Sequence, residues 1–215
     1  MISAALFDLD GTLFDTEDQY TRFWESMALR FRPDIPGLAH IIKGTTLKQI
    51  YSNYFPDPEV QKELTRLSTE YERDMRYDFI PGAEKFLREL RGAGVKLAVV
   101  TSSDRSKMQS VRANRPDFDT YFDRVLTSED FARSKPAPDC YLLGAEVFGM
   151  DKRQCVVFED AINGLKAAKA SGIFTVGLAT TNTAEAIEGL CDYIIKDFTE
   201  INYNLLNEIT DKYYS

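Results

Sequence analysis

Six short apolar runs punctuate this chain, and none shows a regular polar alternation. Ala4 to Phe7, Val95 to Val100, Val125-Leu126, Cys155 to Phe158, Ile173 to Gly177 and Tyr193 to Ile195 each read as a strand. A strand without a polar face must be covered on both sides, and stretches of helical period separate these runs. Strands and helices alternating in this way predict an α/β fold, a Rossmann-like parallel sheet with helices on both faces.

One interval breaks the rhythm. From Thr16 to about Phe31 the apolar residues Tyr20, Phe23, Trp24, Met27, Leu29 and Phe31 follow helical spacing, and Pro33, Pro36 and Gly37 then interrupt the chain. Thr45 to Tyr54 and Pro58 to about Met75 read as two further helices, with Pro58 suited to a first turn. No strand is expected here. The economical architecture is one α/β core built from residues 1–15 and 80–215, interrupted by a helical insert over 16–79. A chain of 215 residues has room for that and little more.

Charge narrows the partners. Asp and Glu number 34 against 26 Lys and Arg, a net charge of −8. With no local basic cluster, nucleic acid and anionic membrane are not expected partners. The opening MISAALFDLDG meets charge before an apolar run reaches the length of a signal peptide or membrane span. Cys140, Cys155 and Cys191 form no close-spaced pair, so reduced thiols and a cytoplasmic location are expected. His40 is the one histidine, which removes any site built from several imidazoles.

In an open parallel sheet, ligands gather beyond the carboxyl ends of the strands. Three runs end there in polar residues of complementary kinds: Asp8 and Asp10, Thr101 and Ser102, Glu159 and Asp160. Lys135, in Ser134-Lys135-Pro136, lies in a loop between two of them. Four carboxylates and an ammonium on one rim make a hard-cation site beside an anion site. Solvated turn acids are the alternative. Asp8 counts against it, because it follows an apolar run two positions before Asp10. Thr12 suits a hydrogen bond to Asp10 or a cap on the turn.

These residues carry a resemblance. Asp8-Leu9-Asp10-Gly11-Thr12-Leu13, Thr101, Lys135-Pro136 and Glu159-Asp160 resemble the four ordered motifs of the haloacid dehalogenase-like hydrolase superfamily. Lys135-Pro136-Ala137-Pro138-Asp139 and Phe158-Glu159-Asp160 look like its branch of β-phosphoglucomutase and sugar-phosphate phosphatases. The insert then resembles the family's helical cap. The resemblance implies that Asp8 attacks phosphorus to form an aspartyl-phosphate, with Asp10 as acid and then base. It implies Mg²⁺ as cofactor, held by Asp8, the Asp10 carbonyl, Asp160, and Glu159 directly or through water. Thr101 and the Ser102 amide are implied to hold phosphoryl oxygens, and Lys135 to neutralise charge between phosphate and Asp8. The chemistry is coherent, since a carboxylate attacks a phosphate only where preorganised positive charge offsets both anions.

Such a core recognises little beyond phosphate, so selectivity falls to the insert. Gln19 and Tyr20 lie near its entrance, while Phe23, Trp24 and Met27 suit its own core. Lys43-Gly44-Thr45-Thr46 resembles the substrate loop of the mutase branch, glycine permitting close backbone approach. Thr45 or Thr46 also suits the N-cap of the next helix. Arg73 and Arg76 are candidates to face a carboxylate or second phosphate. Two positions depart from the mutase pattern: Tyr20 stands where those enzymes have a histidine, and Leu47 where they have an arginine. The expected protein is a monomeric Mg²⁺-dependent phosphatase whose partner is a small phosphorylated metabolite, a sugar phosphate foremost. A β-phosphoglucomutase-type mutase and a nucleotide monophosphatase are the alternatives, the latter using Tyr20 or Trp24 to stack a base.

Overall fold

The computed structural model describes residues 1–215. All six apolar runs become strands of one sheet: Ala4–Phe7 (β1), Lys96–Val100 (β2), Arg124–Leu126 (β3), Cys155–Glu159 (β4), Phe174–Leu178 (β5) and Tyr193–Ile195 (β6). Their order is β3-β2-β1-β4-β5-β6, and every neighbouring pair is parallel. The central strand shows why alternation was missing. Ala5 and Phe7 enter one cluster with Phe86, Leu87, Phe158 and Phe174, whereas Ala4 and Leu6 enter another with Val100, Tyr141 and Val157. Each face of β1 has its own core, so neither tolerates a polar residue.

Between β1 and β2 lie four helices: Glu17–Phe31 (α1), Leu38–Ile41 (α2), Leu47–Tyr54 (α3) and Pro58–Asp74 (α4). They enclose a third cluster of Phe23, Trp24, Met27, Ile42, Ile50, Phe55 and Leu64. This is the helical cap on the Rossmann-like core. Thr46, not Thr45, caps α3: its hydroxyl accepts from the Gln49 amide (3.3 Å) while the Gln49 side chain accepts from the Thr46 amide (2.8 Å). The Thr45 hydroxyl turns back to the Ile42 carbonyl.

The remaining helices are Ala83–Gly92 (α5), Arg105–Asn114 (α6), Asp139–Glu146 (α7), Ile162–Ser171 (α8), Ala184–Ile187 (α9) and Tyr203–Tyr214 (α10). Residues of α5, α6 and α10 cover one sheet face, and residues of α7 and α8 the other. In α5, Ala83, Phe86, Leu87 and Leu90 recur at helical spacing and are all buried, making one apolar stripe against the sheet. Two four-residue helices, α2 and α9, were not expected, because so short a segment displays no 3.6-residue period. The last helix begins at Tyr203 rather than near Phe198. The Asn202 side chain caps it through the Leu205 amide (3.0 Å), and Phe198–Glu200 forms a separate 3-10 turn capped by Asp197.

Phe86 meets Phe158 edge-on at 5.4 Å and stacks with Phe198 at 5.5 Å, within the apolar core. Phe86→Ala should therefore destabilise the protein by about 3–5 kcal/mol through lost burial and a residual cavity. Urea unfolding of the two proteins checks this, with the m-value unchanged.

Candidate active site

Register brings distant residues to one level. Phe7 pairs with Val99 on one side and Phe158 on the other, so the chain emerges together at Asp8, Val100 and Glu159. Lys135 enters from the loop before α7 and is 1% exposed. Its ammonium donates to Asp8 Oδ1 (2.6 Å) and Glu159 Oε1 (2.7 Å). Burial opposes the charge on Lys135, but the Asp8 and Glu159 carboxylates outweigh it and hold its pKa well above the usual lysine value. Burial pushes the Asp8 carboxyl up to about 7, and the Lys135 ammonium limits the rise.

Both Glu159 oxygens are committed to the protein. Oε1 also accepts from the Tyr141 hydroxyl (3.2 Å), and Oε2 accepts from the Ala161 amide (2.7 Å). The carboxylate folds back beneath the first turn of α8, where a Cβ on Gly164 would overlap it. Asp160 is placed by the Thr12 hydroxyl, which donates to Oδ1 at 2.7 Å. Thr12 therefore serves Asp160, not Asp10 or the turn. The other Asp160 oxygen is buried and has no partner. Desolvation, reinforced by Glu159 and Asp8, holds the Asp160 pKa well above its ordinary value.

This cluster fits a divalent cation. Oxygens of Asp8, Glu159 and Asp160 lie within 4.8 Å of one another. Three carboxylates against one ammonium leave two negative charges over. A hard dication answers the charge, the oxygen-only donor set and the orphaned Asp160 oxygen together.

Asp10 faces a different set of groups. Oδ1 accepts from the Thr16 hydroxyl (2.6 Å), and Oδ2 from the Ser103 hydroxyl (3.2 Å) and the Lys107 ammonium. Sequence reading missed Lys107. It sits one turn into a helix whose polar residues look like a solvated face, yet its side chain is buried. Thr101, 1% exposed, accepts from the Ser103 amide (3.0 Å), which leaves its hydroxyl proton free to donate.

A cleft of about 910 Å³, its open mouth included, separates this floor from the cap. Tyr20, Lys43, Gly44, Thr45 and Leu47 line it from above, and Asp8, Asp10, Thr101, Ser102, Lys135 and Glu159 from below. The Gly44 carbonyl faces the Ser102 hydroxyl at 3.5 Å, and a Cβ on Gly44, whose φ is +71°, would meet Ala161 at 3.1 Å. Lys43 pairs with Glu17 at 3.0 Å. Three of the cap residues picked from sequence lie elsewhere. Gln19 staples the two chain crossings, donating to the carbonyls of Asp15 (3.2 Å) and Arg76 (2.8 Å) and accepting from the Arg76 amide (3.0 Å). The Arg76 side chain is 81% exposed, held by Asp78 outside the cleft. Arg73 is likewise exposed and does not line it. Polarity marked these residues; the direction they face was set by the helix that carries or precedes them.

Residues 5–178 match the haloacid dehalogenase-like hydrolases, and the chain belongs to that family. With the buried Asp8-Glu159-Asp160 cluster on this fold, it is a phosphoric monoester hydrolase that works through an aspartyl-phosphate with a divalent metal. It is 31% identical over 216 residues to the validoxylamine A 7'-phosphate phosphatase of Streptomyces hygroscopicus subsp. limoneus, covering 94% of this chain and 97% of that one. Identity to hexitol phosphatase A of Escherichia coli is also 31%, over 179 residues, 80% of this chain and 81% of that one. The β-phosphoglucomutase of Clostridium difficile shares the fold at a TM-score of 0.84, covering 100% of this chain and 99% of that one at 20% identity. No helix is long and apolar enough to cross a membrane.

Two substitutions probe the site. Gly164→Ala should displace the Glu159 carboxylate and cost about 1–3 kcal/mol by overpacking, with a matching loss of turnover, read by thermal unfolding and steady-state assay. Glu72, on α4 and lining the cleft, is pushed up to about 7, chiefly by burial. A carboxyl raised in the folded state binds its proton more tightly there, so its contribution is present below the unfolded pKa and lost as pH rises through the folded one. Between about pH 4.5 and 7 the protein should thus lose up to about 3 kcal/mol on account of Glu72. Glu72→Gln should remove that slope and be the more stable protein at pH 8, by denaturant unfolding at several pH values.

Proposed function

We propose that this enzyme hydrolyses small phosphomonoesters whose alcohol is uncharged and rich in hydroxyls, a sugar or polyol phosphate. The pairing of every ammonium in the cleft carries this reading: Lys43 with Glu17, Lys107 with Asp10, Lys135 with Asp8 and Glu159. A second phosphate or a carboxylate on the substrate meets no free cation there, and Leu47 and Glu72 add none. Hydroxyl groups find acceptors in Glu17 and Glu72. A base finds no platform, because Trp24 packs with Phe23 and Phe55 and the Tyr20 ring lies against Lys107. Relatives that act on a hexitol phosphate and on validoxylamine A 7'-phosphate accord with this class.

In the proposed reaction the Asp8 carboxylate attacks phosphorus as the bond to the leaving oxygen breaks, and Asp10 gives that oxygen its proton. Water then attacks the aspartyl-phosphate, Asp10 takes a proton from it, and phosphate leaves with Asp8 restored. Thr101 and the Ser102 amide hold phosphoryl oxygens, and Lys135 offsets the repulsion between phosphate and Asp8. Asp8, the Asp10 carbonyl and Asp160 are the residues to hold Mg²⁺; Glu159, already bonded twice over, acts at one remove through water and Lys135. Bound there, the ion supplies positive charge to the phosphoryl oxygens. Residues 16–79 serve as a cap over this floor, excluding water once the substrate is seated.

A phosphate-release screen with Mg²⁺ tests the reading. Hexose and hexitol monophosphates should be the best substrates by kcat/KM, with bisphosphates, phosphoglycolate and nucleotides at least about 10-fold worse, the worth of one unmatched charge in such a site. Chelator should abolish turnover, and Asp8→Asn should do so without loss of fold. Selectivity for a nucleotide, or bisphosphate-dependent formation of glucose 6-phosphate with little free phosphate, would overturn it in favour of a nucleotidase or a mutase.

A further inference from the structure

Lys107 has no part in the reaction as written, yet it is one of the most buried lysines in the molecule. It is 3% exposed and its ammonium rests on Asp10 Oδ2. On its other side the ammonium lies 4.3 Å from the centroid of the Tyr20 ring. Tyr20 belongs to α1 and donates its hydroxyl to Glu72 Oε1 on α4 at 2.9 Å. A line of contacts therefore runs from the catalytic loop through core helix α6 to both long helices of the cap. The local sequence builds it: Asp104 caps α6 by accepting from the Lys107 amide at 2.8 Å, which fixes where the side chain departs.

We propose that Lys107 is a positioning residue for Asp10 and that it couples the orientation of that carboxylate to the cap; this rests on the acid-base role proposed for Asp10. Proton transfer depends on the direction of a carboxylate oxygen as much as on its proximity. Thr16, Ser103 and Lys107 fix the Asp10 carboxylate from three separate segments, the first adjoining the cap hinge and the second in the loop after β2. Lys107 supplies the only formal charge among them. The Tyr20 ring covers its outer face, so a seated cap keeps the ammonium dry and its grip strong, while a lifted cap admits water and weakens it.

The test is a double-mutant cycle on the full chain with Mg²⁺, using a hexitol phosphate and an aryl phosphate with a good leaving group. Lys107→Met should lower kcat about 10- to 100-fold on the hexitol phosphate at nearly constant KM. In the Asp10→Asn background the same change should cost less than about 3-fold, because Lys107 acts through a group already removed. Lys107→Arg should restore part of the loss, and it carries the cycle alone if the methionine variant does not fold. Tyr20→Leu should lower kcat in the same direction and couple to Lys107→Met. Equal fold-losses from Lys107→Met with and without Asp10→Asn would overturn the proposal, as would wild-type kinetics. A raised KM at unchanged kcat would also overturn it and make Lys107 a substrate ligand. If Asp10→Asn alone leaves kcat intact, the acid-base reading has failed, a result separable from failure of the coupling.

Discussion

The structure turns on one ammonium. Lys135 is all but sealed from water, and a lysine stays charged there only because Asp8 and Glu159 both hold it. Asp8 and Glu159 lie far apart in the chain and meet because β1 and β4 are neighbours in register, and the loop before α7 brings Lys135 to both. Much of the surrounding packing serves that meeting. Tyr141 and the Ala161 amide fill the lone pairs of Glu159 that Lys135 leaves, and Gly164 makes the space in which that carboxylate turns. Removing either carboxylate strands the ammonium, and removing the ammonium leaves a cluster of like charges. The same imbalance that makes the cluster costly without a cation makes it receptive to one.

The fold was legible where physics forces a pattern on the sequence. A strand covered on both faces must be apolar throughout, and all six announced themselves in this way. Asp8, Glu159 and Asp160 stood out because an acid directly after such a run has few structural reasons to be there. Legibility ended where the deciding fact is direction. Gln19 and Arg76 are polar residues on or beside cap helices, and nothing local distinguishes a hinge staple or a solvated arginine from a residue facing the cleft. Lys107 failed in the opposite sense: among Arg105, Ser106 and Gln109 it reads as one more solvated side chain. Only the packing of α6 against α4, with the Tyr20 ring of α1 over its ammonium, shows that it is buried against Asp10. Thr12 went to Asp160 because the loops after β1 and β4 approach each other from segments nearly 150 residues apart, a distance on which spacing within a motif is silent.

The contacts that seat the cap differ in kind from those that anchor it. At the far edge, where the loop before α3 meets the core, the hydrogen bonds are long: Ser102 to the Gly44 carbonyl at 3.5 Å, Asn163 to the Lys43 carbonyl at 3.5 Å, Gln49 to the Lys135 carbonyl at 3.4 Å. At the crossing, the Asp15 amide donates to the Asp78 carbonyl at 2.9 Å and the Ile80 amide to the Leu13 carbonyl at 2.8 Å, and Gln19 ties the two passes of the chain through the Arg76 backbone at 2.8 and 3.0 Å. Hydrogen bonds weaken steeply with length, so the seal is the weaker of the two and the hinge the stronger. The insert also has an apolar core of its own, which keeps its helices together whatever its tilt. A firm pivot, a self-supporting body and a weak far seal are what a unit needs in order to swing as one piece. On such a swing Tyr20 and the Lys43-Gly44-Thr45 loop would leave the cleft together, while Asp8, Lys135 and Glu159 keep their mutual contacts. The charged floor is thus tied together by short contacts of its own, and the cap edge facing it is held by longer ones.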